Sequence, residues 1–429
     1  MKQVFTNISL FLVLLFIPFL TSAQYQNVRI EKGKGDFYSP CEPVIAIDPM
    51  NPDKMVAGAM IDRVYFSKNG GQKWRSSKLK SSHGVFGDPF VLSDGEAFYY
   101  FHLSDPEKTG WSGKSVLDRI VSQKSTNGKS WNSGSYIGYA NGKQHDSPAG
   151  YFDAYSGNIY LTWTQYDKYG SVNPADRTHV MFTYSDNRGR SWQPPMRISE
   201  IDGNCLGDAG TISSSMPTVG PDGTLYVSWL LNDKIFLDRS NDGGMSWLRS
   251  DRIVIDVPGG SKFEIPGFGK VSSTPIIECD RTDGIHSGNL YLCWSDQRNG
   301  DFDADVWLVR SLDGGDTWST PTRVNNDAPG NHQFFSSMAV DQATGTIYVV
   351  FYDRRNHDDW LTDVYLAVST DGGQTFSNEM ISASPFETDP DIFFGDRIKV
   401  AAHGGKVRPV WTRVDDRILS IWTALINIK

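Results

Sequence analysis

The chain has 429 residues, a formal net charge of −9 and 41 glycines. An acidic chain of this kind lacks the broad basic face that nucleic acid or an anionic membrane surface requires, so neither is expected as a partner. Its 13 Trp, 18 Tyr and 23 Phe instead favour many short β-strands.

The first 23 residues have the pattern of a secretory signal peptide. One Lys precedes an apolar run over residues 8–20, and Thr-Ser-Ala follows directly before Gln24. The apolar run is too short to span a membrane as a helix. We therefore expect a secreted or periplasmic protein without membrane insertion, in which residues 24–429 form one domain.

An eight-residue phrase, Ser-Leu-Asp-Gly-Gly-Asp-Thr-Trp at Ser311–Trp318, recurs along the rest of the chain, and we call it the turn motif. Its other copies begin at Ser67, Ser125, Ser185, Ser240 and Ser369. In each copy an Asp or Asn can accept backbone N–H bonds, and Gly tolerates positive φ. The closing aromatic residue offers about 150–250 Å² of surface to bury. The motif predicts a turn between antiparallel strands, with no chemistry of its own.

Three strand patterns precede each turn motif in a fixed order. The first strands, each closed by Asp, are predicted at 44–48, 90–94, 149–153, 218–222, 276–280 and 337–341. The second strands alternate aromatic and β-branched residues and are predicted at 54–59, 97–102, 158–164, 224–229, 289–294 and 346–352. A third strand, such as 305–310, leads into the motif and a fourth, such as 322–325, follows it. Four strands per repeat are typical of a propeller blade.

The last repeat is incomplete. It has three predicted strands, at 395–402, 405–413 and 418–425, and no turn motif, whereas residues 26–31 form a strand pattern without a blade. We therefore predict an all-β fold, a single β-propeller of seven four-stranded blades closed by the N-terminal strand. Six blades is the alternative count. Closure would remove an exposed sheet edge.

Candidate site residues are expected on the face opposite the turn motifs. In an up-and-down blade, this face carries the start of the first strand and the loop between the second and third strands, and we call it the funnel face. The starts of four first strands place Glu42, Asp88, Asp146 and Asp396 around the central channel. Like charges brought together there raise at least one pKa and permit a general acid.

Further candidates lie in other loops of the funnel face. The set comprises His145, His332, Asp296, Arg298, Tyr352, Asp353, Arg354, Arg355 and Arg413. The arginines come from three successive blades, so together they could clamp a carboxylate or sulfate.

The turn motif is similar to the Asp-box, or BNR repeat, and on this basis the chain resembles the secreted bacterial sialidase-like β-propeller superfamily. The resemblance implies an Asp acid/base, an arginine clamp on the substrate carboxylate, and a Tyr nucleophile assisted by Glu. The matching residues are Asp88 for the acid/base, Arg298, Arg354 and Arg413 for the clamp, Tyr352 or Tyr166 for the nucleophile, and Glu42. The Phe/Tyr-Arg-Ile-Pro motif of sialidases is absent from the N-terminal region.

These observations lead to an expected function and two open alternatives. We expect an exo-acting glycoside hydrolase of sialidase-like type, a monomer acting on acidic glycans. The first alternative is a non-catalytic propeller that binds carbohydrate or protein. The second is a polysaccharide lyase for uronic-acid glycans, in which a histidine of the funnel face, such as His145, removes a proton next to a carboxylate.

Cofactor and disulfide expectations are limited. The spacing of the four cysteines is not that of a zinc site; they are Cys41, Cys205, Cys279 and Cys293. One disulfide and four buried thiols are the two open alternatives. The acidic run Asp301–Asp305 offers oxygen ligands for Ca²⁺, but it lacks the Gly and distal Glu of a dedicated loop, which favours a solvated turn. No cofactor is therefore expected.

Overall fold

The computed structural model describes residues 25–35, 40–110 and 117–428. The predicted signal peptide lies outside this range. Within it the chain forms strands and turns and no α-helix, and seven four-stranded antiparallel sheets follow one another around a ring. The predicted seven-bladed β-propeller is confirmed, and the alternative of six blades is wrong.

The first four blades run in chain order, each from its inner to its outer strand. Blade 1 consists of β2 (Val44–Ile47), β3 (Met55–Ala59), β4 (Arg63–Ser67) and β5 (Arg75–Lys78). Blade 2 consists of β6 (Gly87–Ser93), β7 (Phe98–Leu103), β8 (Ile120–Ser125) and β9 (Ser135–Ile137). Blade 3 consists of β10 (Gln144–Phe152), β11 (Ile159–Tyr166), β12 (Thr178–Ser185) and β13 (Met196–Arg197). Blade 4 consists of β14 (Ser213–Val219), β15 (Leu225–Leu231), β16 (Lys234–Ser240) and β17 (Arg252–Asp256).

A hairpin separates blade 4 from the last three blades. It pairs β18 (Lys262–Ile265) with β19 (Gly269–Ser272) and was not predicted. Blade 5 consists of β20 (Ile276–Cys279), β21 (Leu290–Asp296), β22 (Asp305–Ser311) and β23 (Thr322–Arg323). Blade 6 consists of β24 (Gln333–Val340), β25 (Ile347–Asp353), β26 (Leu361–Ser369) and β27 (Ser377–Met380), with β28 (Phe386–Glu387) also pairing β26. Blade 7 consists of β29 (Lys399–His403), β30 (Lys406–Asp415), β31 (Ile418–Asn427) and β1 (Gln26–Lys32).

The two chain ends close the ring. Strand β1 pairs antiparallel with β31, from Gln26 opposite Leu425 to Lys32 opposite Ser420. The N-terminal strand therefore supplies the outer strand of the last blade, as predicted. Because β1 covers β31, the third strand of blade 7 has no unpaired edge.

Each turn motif also fastens its blade to the preceding one. In the copy of blade 5, the Gly315 N–H donates to Ser311 Oγ at 2.8 Å and the Thr317 N–H donates to Asp313 Oδ1 at 2.9 Å. Gly315 has φ 85°, and a Cβ there would lie 2.6 Å from Leu237 of blade 4. The closing Trp318 packs against apolar residues of the same neighbouring blade. The turn has the predicted chemistry and contributes to packing between blades.

The core consists of apolar layers between adjacent blades. Trp163, Trp229, Trp294 and Trp411 occupy the second strands of four blades and are fully buried. Burying such a ring stabilises the fold by about 1.5–3 kcal/mol relative to leaving it exposed. Alternating aromatic residues on the second strands therefore hold the ring together. No helix in the described part of the chain is long and apolar enough to cross a membrane.

Bulges at the starts of the inner strands depart from the predicted pattern. In β6 and β10 the register shifts around Asp88-Pro89 and Ser147-Pro148, so the strand begins before the proline rather than at it. An unpaired bulge position suits proline because it has no N–H to donate. Asp88 and Ser147 have φ 50° and 51°, and Glu42, just before β2, has φ 53°. Bulges re-aim side chains, and here they turn polar residues toward the channel mouth.

All four cysteines are buried and none is in a disulfide, so of the two open expectations the structure supports buried thiols. Cys293 lies opposite Ile276 and Cys279 opposite Leu290, which separates the two thiols of this hairpin along the strands.

Candidate functional site

Four acids predicted for the channel mouth line one cavity of the funnel face. Glu42, Asp88, Asp146 and Asp396, from blades 1, 2, 3 and 7, surround a space of ≈ 260 Å³. We call this space the funnel. Glu42 and Asp88 are only 6% and 7% exposed, and both have positive φ, with a bulge at Asp88. A Cβ on Gly395 would lie 2.4 Å from Glu42 Cγ, so glycine lets blade 7 approach blade 1 here.

Arg397 is the cation that joins these acids, and it was missing from the predicted site. Its Nη2 lies 2.5 Å from Asp88 Oδ1 and 3.9 Å from Glu42 Oε2, and its Nε lies 3.1 Å from Asp396 Oδ1. The prediction took its arginines from second-strand loops, whereas Arg397 precedes the first strand of blade 7. Its position next to Asp396 was the available signal.

Asp88 and Asp146 meet at one backbone donor. The Ser147 N–H donates to Asp88 Oδ2 at 2.5 Å and to Asp146 Oδ1 at 3.0 Å. Asp88 thus receives both a guanidinium and a backbone N–H, two contacts that stabilise a negative charge. Asp146 lacks an ion pair of its own among the described residues and faces the neighbouring carboxylate.

Burial and like charges raise the pKa of two of the four acids. Burial, followed by the charge of Asp88 and a hydrogen bond with it, raises the pKa of Asp146 well above its usual range. Burial and the charge of Asp396 likewise raise the pKa of Glu42, although Arg397 opposes this rise. A carboxyl group whose pKa is raised by burial and by a neighbouring carboxylate can serve as a general acid.

Two tyrosines form another side of the funnel. Tyr166 and Tyr169 both line it, with ring centroids 5.1 Å apart. Burial and the nearby charge of Asp146 raise the pKa of Tyr166 well above its usual value. The phenol therefore remains protonated at neutral pH and can donate a hydrogen bond, which makes it a poor nucleophile.

The hairpin of β18 and β19 is held beside the channel mouth by aromatic packing. Phe268 at its turn packs against Phe334, Phe335 and Phe394 at centroid distances of 5.1, 5.2 and 4.8 Å. Arg354 donates to the carbonyl of Pro266 at 2.7 Å. The hairpin is thus fixed to blade 6 and the loop before blade 7.

Below the funnel the channel narrows to a cavity of ≈ 80 Å³. Its lining includes the hydroxyl-bearing residues Ser147, Ser214 and Ser336 and the amine of Lys399. Burial lowers the pKa of Lys399 to about 8, opposed by the charge of Glu278. The cavity therefore combines a few polar groups with a mostly apolar lining.

His145 and His332 are buried and are not placed to act as a catalytic base. His145 is fully buried; its Nδ1 accepts from Trp163 Nε1 at 2.7 Å and its Nε2 bonds the carbonyl of Gly138 at 2.9 Å. These two bonds leave the ring neutral with its proton on Nε2. Burial lowers the pKa of both histidines to about 4. His332 is absent from the described lining of the funnel.

Tyr352 is a core residue. Its side chain is fully buried, and its hydroxyl donates to the carbonyl of Thr412 at 3.0 Å. Its ring packs in tilted or edge-to-face contacts against Phe334, Phe386 and Phe394. It does not reach the funnel, which removes the structural basis for a nucleophilic role.

The predicted arginine clamp does not assemble. Arg298 is paired with Asp296 at 2.6 Å and stacks 4.6 Å from the Trp307 ring. Arg355 is paired with Asp353 at 2.7 Å. The two predicted aspartates therefore position their own neighbours two residues away. None of these four residues lines the funnel as described.

The other two arginines are also engaged elsewhere. Arg354 is buried and, besides Pro266, donates to Thr362 and Thr388 at 3.1 and 3.0 Å. Arg413 is paired with Asp415 at 2.8 Å. Both stabilise loops of blades 6 and 7. The sequence placed these arginines on the correct face but could not show that neighbouring acids and carbonyls occupy them.

No group of three or more His, Cys, Asp or Glu in the described residues is arranged to hold a metal ion. In the acidic run considered for Ca²⁺, Asp303 accepts the Gly330 N–H at 2.9 Å, and Asp305 binds Asn325 and Asn299. These contacts stabilise the turn.

Comparison with known proteins gives a partial match to a curated enzyme and several solved structures of the same fold. No protein-family model matches the chain. Xyloglucanase Xgh74A of Acetivibrio thermocellus is 29% identical over 170 residues, which is 39% of this chain and 17% of that enzyme. The chain thus spans less than a fifth of the curated relatives it matches.

Solved structures with the same fold share little sequence with the chain. An ulvan lyase bound to -[GlcA(1-4)Rha3S]- has a TM-score of 0.54 at 10% identity, covering 94% of this chain and 96% of the lyase. A protein of unknown function from Dyadobacter fermentans has 0.53 at 13%, covering 95% and 99%. The NanB sialidase of Streptococcus pneumoniae has 0.52 at 8%, covering 87% and 83%. At such identities the likeness shows the fold alone.

Proposed function

We propose that the protein is a carbohydrate-active hydrolase whose funnel acids cleave a glycosidic bond. The observation that carries the proposal is the contact of Asp88 and Asp146 at the Ser147 N–H, where Arg397 pairs with Asp88 and not with Asp146. This arrangement keeps a proton on Asp146 beside a charged neighbour. A protonated carboxyl in a partly enclosed site is the proton donor that glycoside hydrolysis requires.

The remaining funnel residues supply the other parts of the reaction. Asp146 gives its proton to the departing glycosidic oxygen, and Asp396, the most exposed of the four acids at 56% of its side chain, takes a proton from the attacking water. One water is consumed and the two carboxyl groups exchange protonation states. The carboxylate of Asp88, oriented by Arg397, stabilises the positive charge that develops on the sugar ring, and the hydroxyl of Tyr166 donates to the substrate.

The charge of the funnel bears on the substrate. Four acids share one guanidinium, so a sugar that carries a carboxylate would meet net repulsion there. The exo-acting, sialidase-like activity on acidic glycans expected from the sequence rested on an arginine clamp, and those arginines are engaged elsewhere. We therefore assign a glycan without a carboxylate on the sugar that enters the funnel. The xyloglucanase and polysaccharide lyase among the similar proteins support a carbohydrate substrate in general.

The test is an assay of the purified protein against xyloglucan, ulvan and sialylated oligosaccharides. New reducing ends indicate hydrolysis, and ultraviolet absorbance of an unsaturated uronate indicates a lyase. Replacing Asp146 with Asn should lower kcat by about 10²–10⁴-fold, the contribution typical of general acid–base catalysis. Asp283→Asn, an exposed aspartate on the opposite face, is the matched control and should keep full activity.

Three results would contradict the proposal. Unsaturated products would indicate the lyase alternative, and binding to a polysaccharide without any new reducing ends would indicate the binding propeller. Equal activity of Asp146→Asn and the parent protein would show that the reaction takes place outside the funnel.

A further inference from the structure

A second concave surface lies between the outer parts of blades 2 and 3. It is a groove of ≈ 860 Å³, within the range of ligand-binding clefts. Tyr136, Tyr139 and Trp192 supply its aromatic surface. The two tyrosines are 53% and 52% exposed. We call this surface the outer groove.

The tyrosines of the outer groove are held in place from behind. Arg119 lies 4.5 Å from the Tyr139 ring centroid and 5.5 Å from that of Tyr136. Asp118 fixes the guanidinium through two bonds of 2.7 and 2.9 Å, and Asp118 also accepts from Ser104 at 3.1 Å. A bidentate ion pair under two exposed rings restricts their orientation before a ligand arrives, which lowers the entropy cost of binding.

Polar groups accompany these rings. Gln165 and Arg190 line the same groove, and neither side chain has a hydrogen-bond partner among the described residues. A sugar presents an apolar ring face together with hydroxyl groups, so it needs both an aromatic surface and free donors or acceptors. The outer groove offers both kinds of contact.

One layer of residues separates the outer groove from the funnel. Gly138 lines the groove, His145 lines the funnel, and the His145 ring bonds the Gly138 carbonyl at 2.9 Å. The loop between them, residues 138–144, belongs to the funnel face. A polymer that lies in the groove can therefore continue over this loop to the funnel acids, whereas a single sugar can occupy only one of the two.

From this arrangement we infer that the outer groove binds a polysaccharide chain and directs it toward the funnel. Tyr136 and Tyr139 stack on pyranose rings, and Gln165 and Arg190 bind the hydroxyl groups. The inference extends the proposed function, because it makes the substrate a polymer gripped several sugars away from the cleaved bond. Binding in the groove does not itself require that the funnel be catalytic.

Affinity electrophoresis tests the groove independently of turnover. The full-length mature protein carrying Asp146→Asn is run in native gels that contain xyloglucan, ulvan or laminarin. A polysaccharide that retards it is then tested with Tyr136→Ala and Tyr139→Ala added together. Truncating two central aromatic contacts should weaken binding at least about tenfold. The control is Tyr155→Ala, a tyrosine 89% exposed on the turn-motif face, which should leave retardation unchanged.

The outcomes separate this inference from the proposed hydrolysis. Retardation that depends on the tyrosine pair supports the groove even if the parent protein cleaves nothing, in which case only the hydrolysis fails. Unchanged retardation of the tyrosine double variant overturns the inference. Failure of all three polysaccharides to retard the protein overturns it as well. Near-ultraviolet circular dichroism and thermal unfolding of each variant establish that the fold is intact.

Discussion

Aspartates crowd both faces of the propeller, but the two faces use them differently. On the turn-motif face, Asp313 and Asp371 accept N–H and hydroxyl bonds within their own turns, and these bonds lower the pKa of both to about 2. On the funnel face, burial and neighbouring carboxylates raise the pKa of Asp146 and Glu42. The same residue type therefore stabilises a turn where donors surround it and can donate a proton where acids surround it.

The two faces also differ in which residues have positive φ. In the turn motifs, positive φ falls mostly on glycines such as Gly315 at 85°, where it costs little, with Arg188 at 58° as an exception. On the funnel face it falls on Asp88 and Glu42, at 50° and 53°. Positive φ in residues other than glycine costs about 1–2 kcal/mol and is concentrated at functional sites. The funnel face therefore gives up stability to orient its side chains.

The largest effect should come from removing the cation of the funnel. Arg397→Met leaves the funnel acids without their ion-pair partner, and breaking a buried pair in this way costs about 3–5 kcal/mol. Urea unfolding at pH 7 measures the loss. The loss should shrink as the pH falls, since protonated carboxyls no longer repel one another. Arg417→Met, from a pair with Asp389 on the surface, should cost at most about 1 kcal/mol; equal losses would contradict the assigned role of Arg397.

A smaller loss is expected on the turn-motif face. Gly244 has φ 92°, and a Cβ there would lie 2.3 Å from the Phe182 ring of blade 3. Gly244→Ala should therefore cost about 3 kcal/mol, from backbone strain and overpacking together. Gly223→Ala, at φ 83° with no atom within 4 Å, isolates the strain and should cost about 1 kcal/mol. If chemical denaturation ranks them equally, the motif does not fasten adjacent blades.

Replacing Asp146 in the funnel should raise the stability of the folded protein by an amount that depends on pH. In the unfolded chain Asp146 ionises near its usual pKa, whereas in the folded protein its pKa is raised. The folded state therefore loses stability as the pH rises above about 4. Asp146→Asn removes this dependence, so the variant should gain thermal stability relative to the parent as the pH is raised from 4 to 8. A constant difference in Tm across that range would argue against a protonated Asp146.

The smallest effect should follow Asp313→Asn in the turn motif. Asn already occupies this position in three copies, as Asn69, Asn127 and Asn187, and it can accept the same N–H bonds. No change in Tm is expected at pH 7. Because hydrogen bonds lower the pKa of Asp313 to about 2, the parent loses their contribution as the pH falls through that value, whereas the Asn variant does not. A large loss at pH 7 would show that the charge itself is needed.

Much of this structure could be predicted from local patterns. The hydrogen bonds of the turn motif can be predicted from the sequence, because Ser311, Asp313 and Gly315 lie within five residues of one another. The blade count follows from its spacing and from the unpaired strand at the N-terminus. The four funnel acids could be grouped because each precedes an inner strand, and inner strands surround the channel. Asp396 was selected by this rule, and the same rule should have included Arg397.

The partners of the arginines could not be predicted in this way. Arg354 reaches a carbonyl of a hairpin 88 residues away. The residues around Tyr352, near the end of β25, do not show that its ring lies in the core. The bulges at Asp88 and Ser147 could not be predicted either. The only sequence feature at each bulge is the following proline, and a proline is equally compatible with the start of a regular strand.

By itself the sequence determined the fold, the blade count, the closure and the face on which a site can lie, because these depend on short-range periodicity and turn chemistry. Only the tertiary structure decided which charges meet. Arg298, Arg355 and Arg413 pair with acids two residues away, whereas Arg397 crosses to Asp88, 309 residues away in the chain. The raised pKa of Asp146 is likewise a tertiary effect, because burial and the carboxylate of Asp88, from the neighbouring blade, cause it.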